Sequence, residues 1–533
     1  MAANQNYDYD WIIVGSGFGG SVAALRLAEK GYKVAVLECG RRIADADFPA
    51  SSWHIGRFFW APALGMHGIS RVSLFKDILI GSGAGVGGGS LVYANTLYRA
   101  NPTFFVHPQW AGLADWDAEL APHYETAERM LGVQTVPWES ENQKLLRAMG
   151  EHFGATHSFR RTPCAVYFGE AGVTVPDPYF GGTGPDRTGC TRCGGCTTGC
   201  GVGAKNTLVK NYLWFAEKLG VDILPDTEVA DIRPLDDGVG NSGYAVATRR
   251  PGAWFGGQSR SLRARGVVVA AGALGTNRLL ADCKHGGGLP HLSDRLGQLV
   301  RTNSESILAV TLPDDARAVT RDVSISASIH VSHDTHIELV SYGERADYMK
   351  FFFTLLTGKG TRLTRPLLLL AQVLRHPLRF LKSLSPIGWS RRSAILLVMQ
   401  PLDNAIAFVA NKRRFGRGVR LSTEQHAEKP NPTFIAEGNA AAAWLAERTG
   451  GIAQSMVPEA LANIPTTAHI LGGAVIGADA GSGVVDATGR VFGYLNLLIC
   501  DGAIMPANPG VNPSLTITAL AEHVMSGVPA VNA

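Results

Sequence analysis

Short apolar runs followed by glycine turns and helical spacing recur along this chain. The N-terminal stretch DWIIVGSGFGGSVAALRLAEKGYKVAVLECG starts on an apolar run, turns through glycines, continues with apolar residues at helical spacing and closes on a second apolar run. That order predicts strand, turn, amphipathic helix, strand. Residues 266–280, GVVVAAGALGTNRLL, give a β-branched run, a small-residue turn and a helix start. Near the C-terminus LLICDGAIMPANPGVNPSLTITALAEH predicts strand, turn and helix again. A different rhythm marks residues 325–342, ISASIHVSHDTHIELVSY, which alternate in places like a half-buried strand. No linker rich in proline, glycine and serine separates modules, so interwoven domains are expected.

The N-terminal unit also carries chemistry. Gly15, Gly17 and Gly20 fill a G-x-G-x-x-G frame. Its glycines serve a tight turn, close approach of backbone to a pyrophosphate, and close packing of helix on sheet. The following helix offers free N–H groups and a positive dipole end to phosphate. Glu38 ends the second strand, about where an acid accepts a ribose hydroxyl. The frame alone fits a packing turn equally well; the strands, helix and acid together point to a dinucleotide.

Composition narrows the class. A chain of 533 residues exceeds one ordinary domain, and 46% hydrophobic with 18% charged residues describes a globular core-former. The net charge of +4 gives no reason to expect nucleic acid as a partner. The start MAANQNYDYDWIIVGSG lacks a basic n-region, an apolar h-region and a cleavage site, so a cytoplasmic protein is expected, where disulfides rarely persist. No internal repeat appears at solenoid periods.

Two later stretches separate FAD from NAD. Residues 81–100, GSGAGVGGGSLVYANTLYRA, are too glycine-rich for a packed helix, and their backbone can approach a flat ring system closely. Asp501 and Gly502 lie past a strand's carboxyl end, where the ribityl and pyrophosphate part of a cofactor is met.

Gly15 to Gly20, Glu38, GVGGGSLVYANT, AAGALGTNRLL, AHILGGAVIG and CDGAIMPANPGVNPSLTITALAE span nearly the whole chain. On these segments it resembles the glucose–methanol–choline (GMC) flavoprotein oxidoreductases, and among them the cholesterol oxidases. The resemblance implies an α/β fold: a doubly wound, Rossmann-type FAD-binding domain (residues 1–45, 205–310 and 475–533) interleaved with a large-sheet substrate domain (residues 46–204 and 311–474). It implies FAD contacts from Gly15, Gly17, Phe18, Gly19, Gly20 and Glu38, from Gly87, Gly88, Gly89, Ser90, Tyr93 and Asn95, and from Val229, Ala271, Asp501, Gly502 and Asn512.

Oxidising a carbinol requires a proton acceptor, an orienting donor and charge stabilisation beside the cofactor. His469 matches the family's active-site histidine; a core histidine bonded to backbone is its other reading. Asn512 matches the asparagine whose amide faces flavin and substrate oxygen, a role compatible with an Asx turn before Pro513. Glu338 aligns, over a short stretch, with the carboxylate that isomerises the double bond in cholesterol oxidases. Its apolar neighbours suit a base that carries a proton across a ring, and a buried ion pair is its alternative.

Cys190, Cys193, Cys196 and Cys200 give C-x2-C-x2-C-x3-C, the ferredoxin spacing without its terminal proline. One iron–sulfur cluster (4Fe-4S or 3Fe-4S) is expected, completed either by Cys200 or by a distant residue such as Cys164. Zinc fits the spacing less well, and thiols without metal, or disulfides, are the remaining alternative. Some members of the wider family carry such a cluster beside the flavin, whereas the secreted cholesterol oxidases lack these cysteines. Residues 348–402 contain no Asp or Glu but hold Lys350, Lys359, Arg362, Arg365, Arg375, Arg379, Lys382, Arg391 and Arg392 between apolar runs. No run reaches the ~20 residues that span a bilayer. Two readings stay open: a segment lying at an anionic membrane surface, or a basic helical pair packed on the substrate domain.

The expected function is oxidation of a steroid 3-hydroxyl to the ketone, with double-bond isomerisation, and electrons passing to oxygen or an external acceptor. Desaturation of a ketosteroid ring is the alternative reaction. A flavin and iron–sulfur redox sensor or electron carrier is the alternative outside catalysis, and it needs neither His469 nor Asn512.

Overall fold

The computed structural model describes residues 6–235, 238–253, 260–313, 319–412 and 418–531. Residues 1–5 and 532–533, the outer ends of the expected FAD-binding domain, lie outside the described residues. Two seven-stranded sheets organise the chain. In the first, Asp222–Leu224, Val34–Leu37, Tyr9–Val14 and Arg260–Val269 lie side by side in parallel. The outer half of Arg260–Val269 pairs in parallel with Leu497–Ile499, and its first half pairs antiparallel with Tyr244–Arg249, which Glu228–Pro234 extends. Val34–Leu37 and Leu497–Ile499 are wholly buried, as parallel strands covered on both faces must be.

The helix Phe18–Glu29 lies on this sheet as closely as backbone allows. A Cβ on Gly20 would stand 2.0 Å from the Gly15 carbonyl oxygen, and one on Gly19 would stand 1.5 Å from that of Cys500. Gly15 itself takes a left-handed φ of 98° to turn from strand to helix. The helix therefore starts at the carboxyl ends of Tyr9–Val14 and Leu497–Ile499, with the helices Gly272–Gly286 and Ser514–Ser526 beginning nearby.

The second sheet is antiparallel, in the order Phe353–Leu355, Ile452–Met456, Ser306–Thr311, Ser393–Met399, His336–Val340, Ile325–His330, Arg160–Arg161. Alternation sorts its side chains. Leu308, Val310, Leu339, Leu396 and Val398 pack under the helices Glu141–His152 and Ala436–Thr449. Ile307, Ile325, Val340, Ile395 and Leu397 face a large cavity between the sheets. Residues 325–342 thus form a hairpin of two strands buried on both faces, not one half-buried strand. The polar residues 331–335 make its turn, and the covering helices account for the extra burial.

Within residues 348–402 two helices, Thr364–Arg375 and Pro377–Leu384, stand at the surface. Two of the nine basic side chains turn inward. Arg365 is buried and meets Glu459 at 2.6 Å, and buried Lys350 donates to the Phe353 carbonyl. The leucines go the other way: Leu363 is 83% exposed and Leu374 and Leu378 are each 73% exposed. No helix among the described residues is long and apolar enough to cross a membrane.

Candidate active site

The cavity between the sheets has two halves. One is lined by backbone and small residues: Gly15, Ser16, Gly17, Gly19, Gly88, Gly89, Ala271, Asp501 and Gly502, with Phe18, Glu38, Tyr93 and Val229. The other is apolar, bounded by Ile307, Ile325, Val340, Phe353, Ile395, Leu397 and Met456 from the sheet and by Phe59, Met349 and Phe352 beside them. His469 and Asn512 line the same cavity. Gly20, Gly87, Ser90, Asn95 and Glu338 do not form part of its lining.

The glycine-lined half fits FAD. Gly17 has open space where a Cβ would stand, although Gly88 approaches it so closely that a Cβ on Gly88 would lie 2.6 Å from the Gly17 Cα. Backbone at the helix start thus faces vacant volume, the shape a pyrophosphate needs. Glu38 holds the edge of this half. Its Oε2 accepts from the Ser16 amide at 3.1 Å and hydroxyl at 2.7 Å, and its Oε1 accepts from the Gly40 amide at 2.8 Å. Asp501 accepts from the Gly272 amide, the Thr276 hydroxyl and the Ala503 amide at 2.8, 2.6 and 2.8 Å. Burial nevertheless pushes its carboxyl up to about 6, against the pull of those bonds. Ser90 supports the loop from behind, donating to the Gly87 carbonyl and accepting from the Leu208 amide. Asn95, at a left-handed φ of 67°, is buried with both side-chain polar atoms unpartnered among the described residues.

His469 follows the short strand Thr466–Thr467, and its Nδ1 lies 3.1 Å from Glu305 Oε2. That oxygen also accepts from the Thr467 hydroxyl at 2.8 Å and the Ala468 amide at 3.0 Å. Burial alone would depress the His469 pKa; the Glu305 charge beside the ring, with the Glu338 charge further off, outweighs it and holds the pKa above its usual value. Asn512 donates from Nδ2 to Glu338 Oε2 at 3.2 Å, and its buried Oδ1 has no hydrogen-bond partner among the described residues. Glu338, fully buried, takes His336 Nε2 on its other oxygen at 3.1 Å, so it stands behind Asn512.

Two groups here escaped the sequence reading. Glu305 closes the run Arg301–Thr302–Asn303–Ser304–Glu305, all buried although strongly polar. Asn303, at a left-handed φ of 57°, ties down the loop before Asn512, donating to the Val511 carbonyl at 2.9 Å and accepting from the Gly510 amide at 2.9 Å. A polar run between two apolar strands was the available signal.

The four cysteines of the cluster motif line one small cavity with Lys205 and Asp322, and Cys193 leaves it open to solvent. Cys164 is buried beside it but is not part of its wall. Among the described residues no three cysteine sulfurs converge within 4.8 Å, whereas zinc bonds of ~2.3 Å place ligand sulfurs about 3.8 Å apart. Burial and the neighbouring thiols push Cys196 up to about 11. Buried Lys205 donates to the carbonyls of Leu91, Tyr93 and Cys196 at 3.0, 2.9 and 2.8 Å, and burial lowers it to about 7. The turn Cys196–Thr198 touches both cavities, since Thr197 and Thr198 line the large one.

Glu305 sets the charge of His469, which fixes a pH dependence. The imidazolium persists to higher pH than an ordinary histidine's and is lost as pH rises through the raised pKa. Glu305→Gln should lower that pKa, and a histidine-resolved NMR titration of the FAD-loaded protein reads it. An unchanged midpoint would show that Glu305 does not act on this ring.

Residues 10–329 match the FAD dependent oxidoreductase family, and residues 414–521 match the GMC oxidoreductase family. A cholesterol oxidase of Mycobacterium tuberculosis (strain ATCC 25618 / H37Rv) is 47% identical over 97% of this chain and 91% of its own. One from Acinetobacter baumannii is 44% identical, covering 99% and 95%. A crystal structure of pyridoxine 4-oxidase from Mesorbium loti superposes with a TM-score of 0.63 at 15% identity, over 97% of this chain and 98% of that one, a likeness of fold. With a glycine-lined cavity fit for FAD and these matches along its length, the chain belongs to the GMC oxidoreductase family and is an FAD-dependent oxidoreductase.

Proposed function

We propose that this enzyme oxidises the 3-hydroxyl of a sterol to the ketone. One observation carries the reading: His469 and Asn512 line the same cavity as a dinucleotide cradle and a broad apolar wall. The similarity to cholesterol oxidases supports the substrate class. Oxidation removes a hydride from the carbinol carbon and a proton from its oxygen. FAD, bound along the glycine-lined half, supplies the hydride acceptor. The Glu305 carboxylate, 3.1 Å from Nδ1 of His469, stabilises the imidazolium that forms when Nε2 of the neutral ring accepts the hydroxyl proton. Asn512 Oδ1 is the acceptor left to orient a donor in the cavity. The sheet face from Ile307 to Leu397 excludes water and receives the apolar skeleton. In this reading Glu338 first fixes the Asn512 amide, and it reaches a steroid ring for isomerisation when that amide moves aside.

His469→Ala should slow flavin reduction by roughly two orders of magnitude or more with FAD still bound. Glu338→Gln should leave alcohol oxidation comparatively intact and suppress isomerisation. Stopped-flow bleaching with a 3β-hydroxysterol measures the first, and the absorbance of the conjugated ketone product measures the second. Parental behaviour in both variants would remove these roles.

A second part of the proposal concerns the electrons' exit. In this reading the four cysteines hold an iron–sulfur cluster, since among the described residues no three of their sulfurs converge within 4.8 Å, a spread that suits such a cluster better than zinc, and Lys205 lies beside them. Its contact with the large cavity through Cys196–Thr198 supports single-electron passage to an external acceptor, with oxygen the alternative acceptor. Anaerobically purified protein should hold iron and acid-labile sulfide at roughly three or four atoms each per chain. Cys193→Ser should lose the iron and keep FAD. Zinc, or no metal, would leave oxygen as the acceptor.

The site of action is proposed to be cytoplasmic, at the membrane surface. No disulfide joins any of the eight cysteines, in keeping with a reducing compartment. Exposed leucines of Thr364–Arg375 and Pro377–Leu384 lie among Arg375, Arg379 and Lys382, and exposed Phe351 adjoins Phe352 and Phe353 on the cavity wall. Apolar and basic residues so mixed suit an anionic lipid interface through which a sterol passes. Co-sedimentation with phosphatidylglycerol vesicles should exceed that with phosphatidylcholine and fall in Leu374→Glu/Leu378→Glu. Equal partition of parent and variant would refute this face.

A further inference from the structure

Away from both cavities, the helix Trp116–Leu131 carries Glu119 and His123 four residues apart, hence on one face. They meet His523 of the helix Ser514–Ser526. One nitrogen or oxygen from each lies within 4.8 Å of the other two. Glu119 is exposed, His123 is half-buried, and His523 is only 9% exposed, with Trp116 edge-on to its ring at 5.6 Å.

The hydrogen bonding of His523 decides what this cluster can hold. Its Nε2 lies 2.9 Å from the Ala487 carbonyl oxygen. A carbonyl only accepts, so Nε2 carries a proton. Its Nδ1 is buried, lacks a hydrogen-bond partner among the described residues and lies 3.2 Å from Glu119 Oε1. A ring lone pair and a carboxylate oxygen at that separation repel unless a cation lies between them. The His123 ring packs 5.5 Å from that of His523, so the three side chains converge on one point. A metal ion accepts all three lone pairs together.

We propose that Glu119, His123 and His523 bind one divalent d-block cation, with zinc the best match. Two imidazoles and a carboxylate are a recurrent zinc ligand set, and water from the exposed side completes four-coordination. The Ala487 carbonyl orients His523 as outer hydrogen bonds orient metal-bound histidines. The helix Ser514–Ser526 begins two residues after Asn512 and already meets Trp116–Leu131 where Tyr124 donates to Thr516 at 2.8 Å. The cation adds a second tie between these helices, so its binding is read in thermal stability.

The FAD-loaded full-length protein, treated with a chelator and then dialysed, is titrated with Zn2+ by calorimetry, and its Tm is recorded with and without the ion. The parent should bind one ion at this site and gain thermal stability. His123→Ala and Glu119→Gln, both outside the catalytic machinery, should each weaken that event by at least about tenfold and abolish the Tm gain. Their flavin spectra and metal-free Tm should stay close to the parent's. Co2+ in the same site should give a visible spectrum without the thiolate charge-transfer band that binding at the cysteines would produce. No ion bound, equal binding and Tm gain in both variants, or Co2+ seen only as a thiolate complex would each overturn the proposal.

Discussion

The helix Phe18–Glu29 can aim its free N–H groups into the cavity because Gly19 and Gly20 let it rest directly on the backbone of Cys500 and Gly15. A side chain at either position would lift the helix off the sheet and draw its first turn away from the cradle. The Ser16 amide and hydroxyl, held by Glu38, and the loop at Gly85 to Gly88 are placed by the same contact. The antiparallel sheet then closes the cavity from the opposite side. Its position relative to the cofactor half depends on polar joints, because there the chain crosses between sheets.

Those joints are the buried runs 301–305 and 508–512. Asn303, Asn508 and Arg301 saturate the turning backbone, with Arg301 donating to the Pro506 carbonyl at 2.8 Å and to Asp403 at 2.8 Å. Buried polar groups of this kind are tolerated only when nearly all are paired. Among the described residues the exceptions in these runs are Glu305 Oε1 and Asn512 Oδ1, the latter on the cavity wall, where a ligand donor is expected. Glu305 combines both functions, anchoring the loop at Thr467 and Ala468 and setting the charge of His469.

The glycine frame, Asp501 and the strand–turn–helix units were legible in the sequence because they answer to local geometry: a backbone approach with no room for Cβ, or a fixed apolar period. The grouping of Cys190, Cys193, Cys196 and Cys200 followed from spacing alone. Glu305 was not legible, since its partner His469 reaches it only through sheet pairing and loop packing. The same holds for Glu338, whose apolar neighbours announced burial but not that Asn512 would stand in front of it. Among the basic residues of 348–402, sequence could not separate Arg365, which turns inward to Glu459, from those that stay at the surface. The pair Glu119 and His123 is visible as a helical spacing, but the third member comes from the far end of the chain.

The nucleotide sheet is closed by Leu497–Ile499, which pairs with Arg260–Val269, itself paired with Tyr9–Val14. During synthesis the first strand therefore waits for the middle of the chain, and both wait for nearly the last residues to leave the ribosome. Such pairings carry a large loop-closure cost before any contact repays it. The half-made sheet exposes the edge of Arg260–Val269, with its run of valines, to other chains. That edge stays open until Leu497–Ile499 pairs with it.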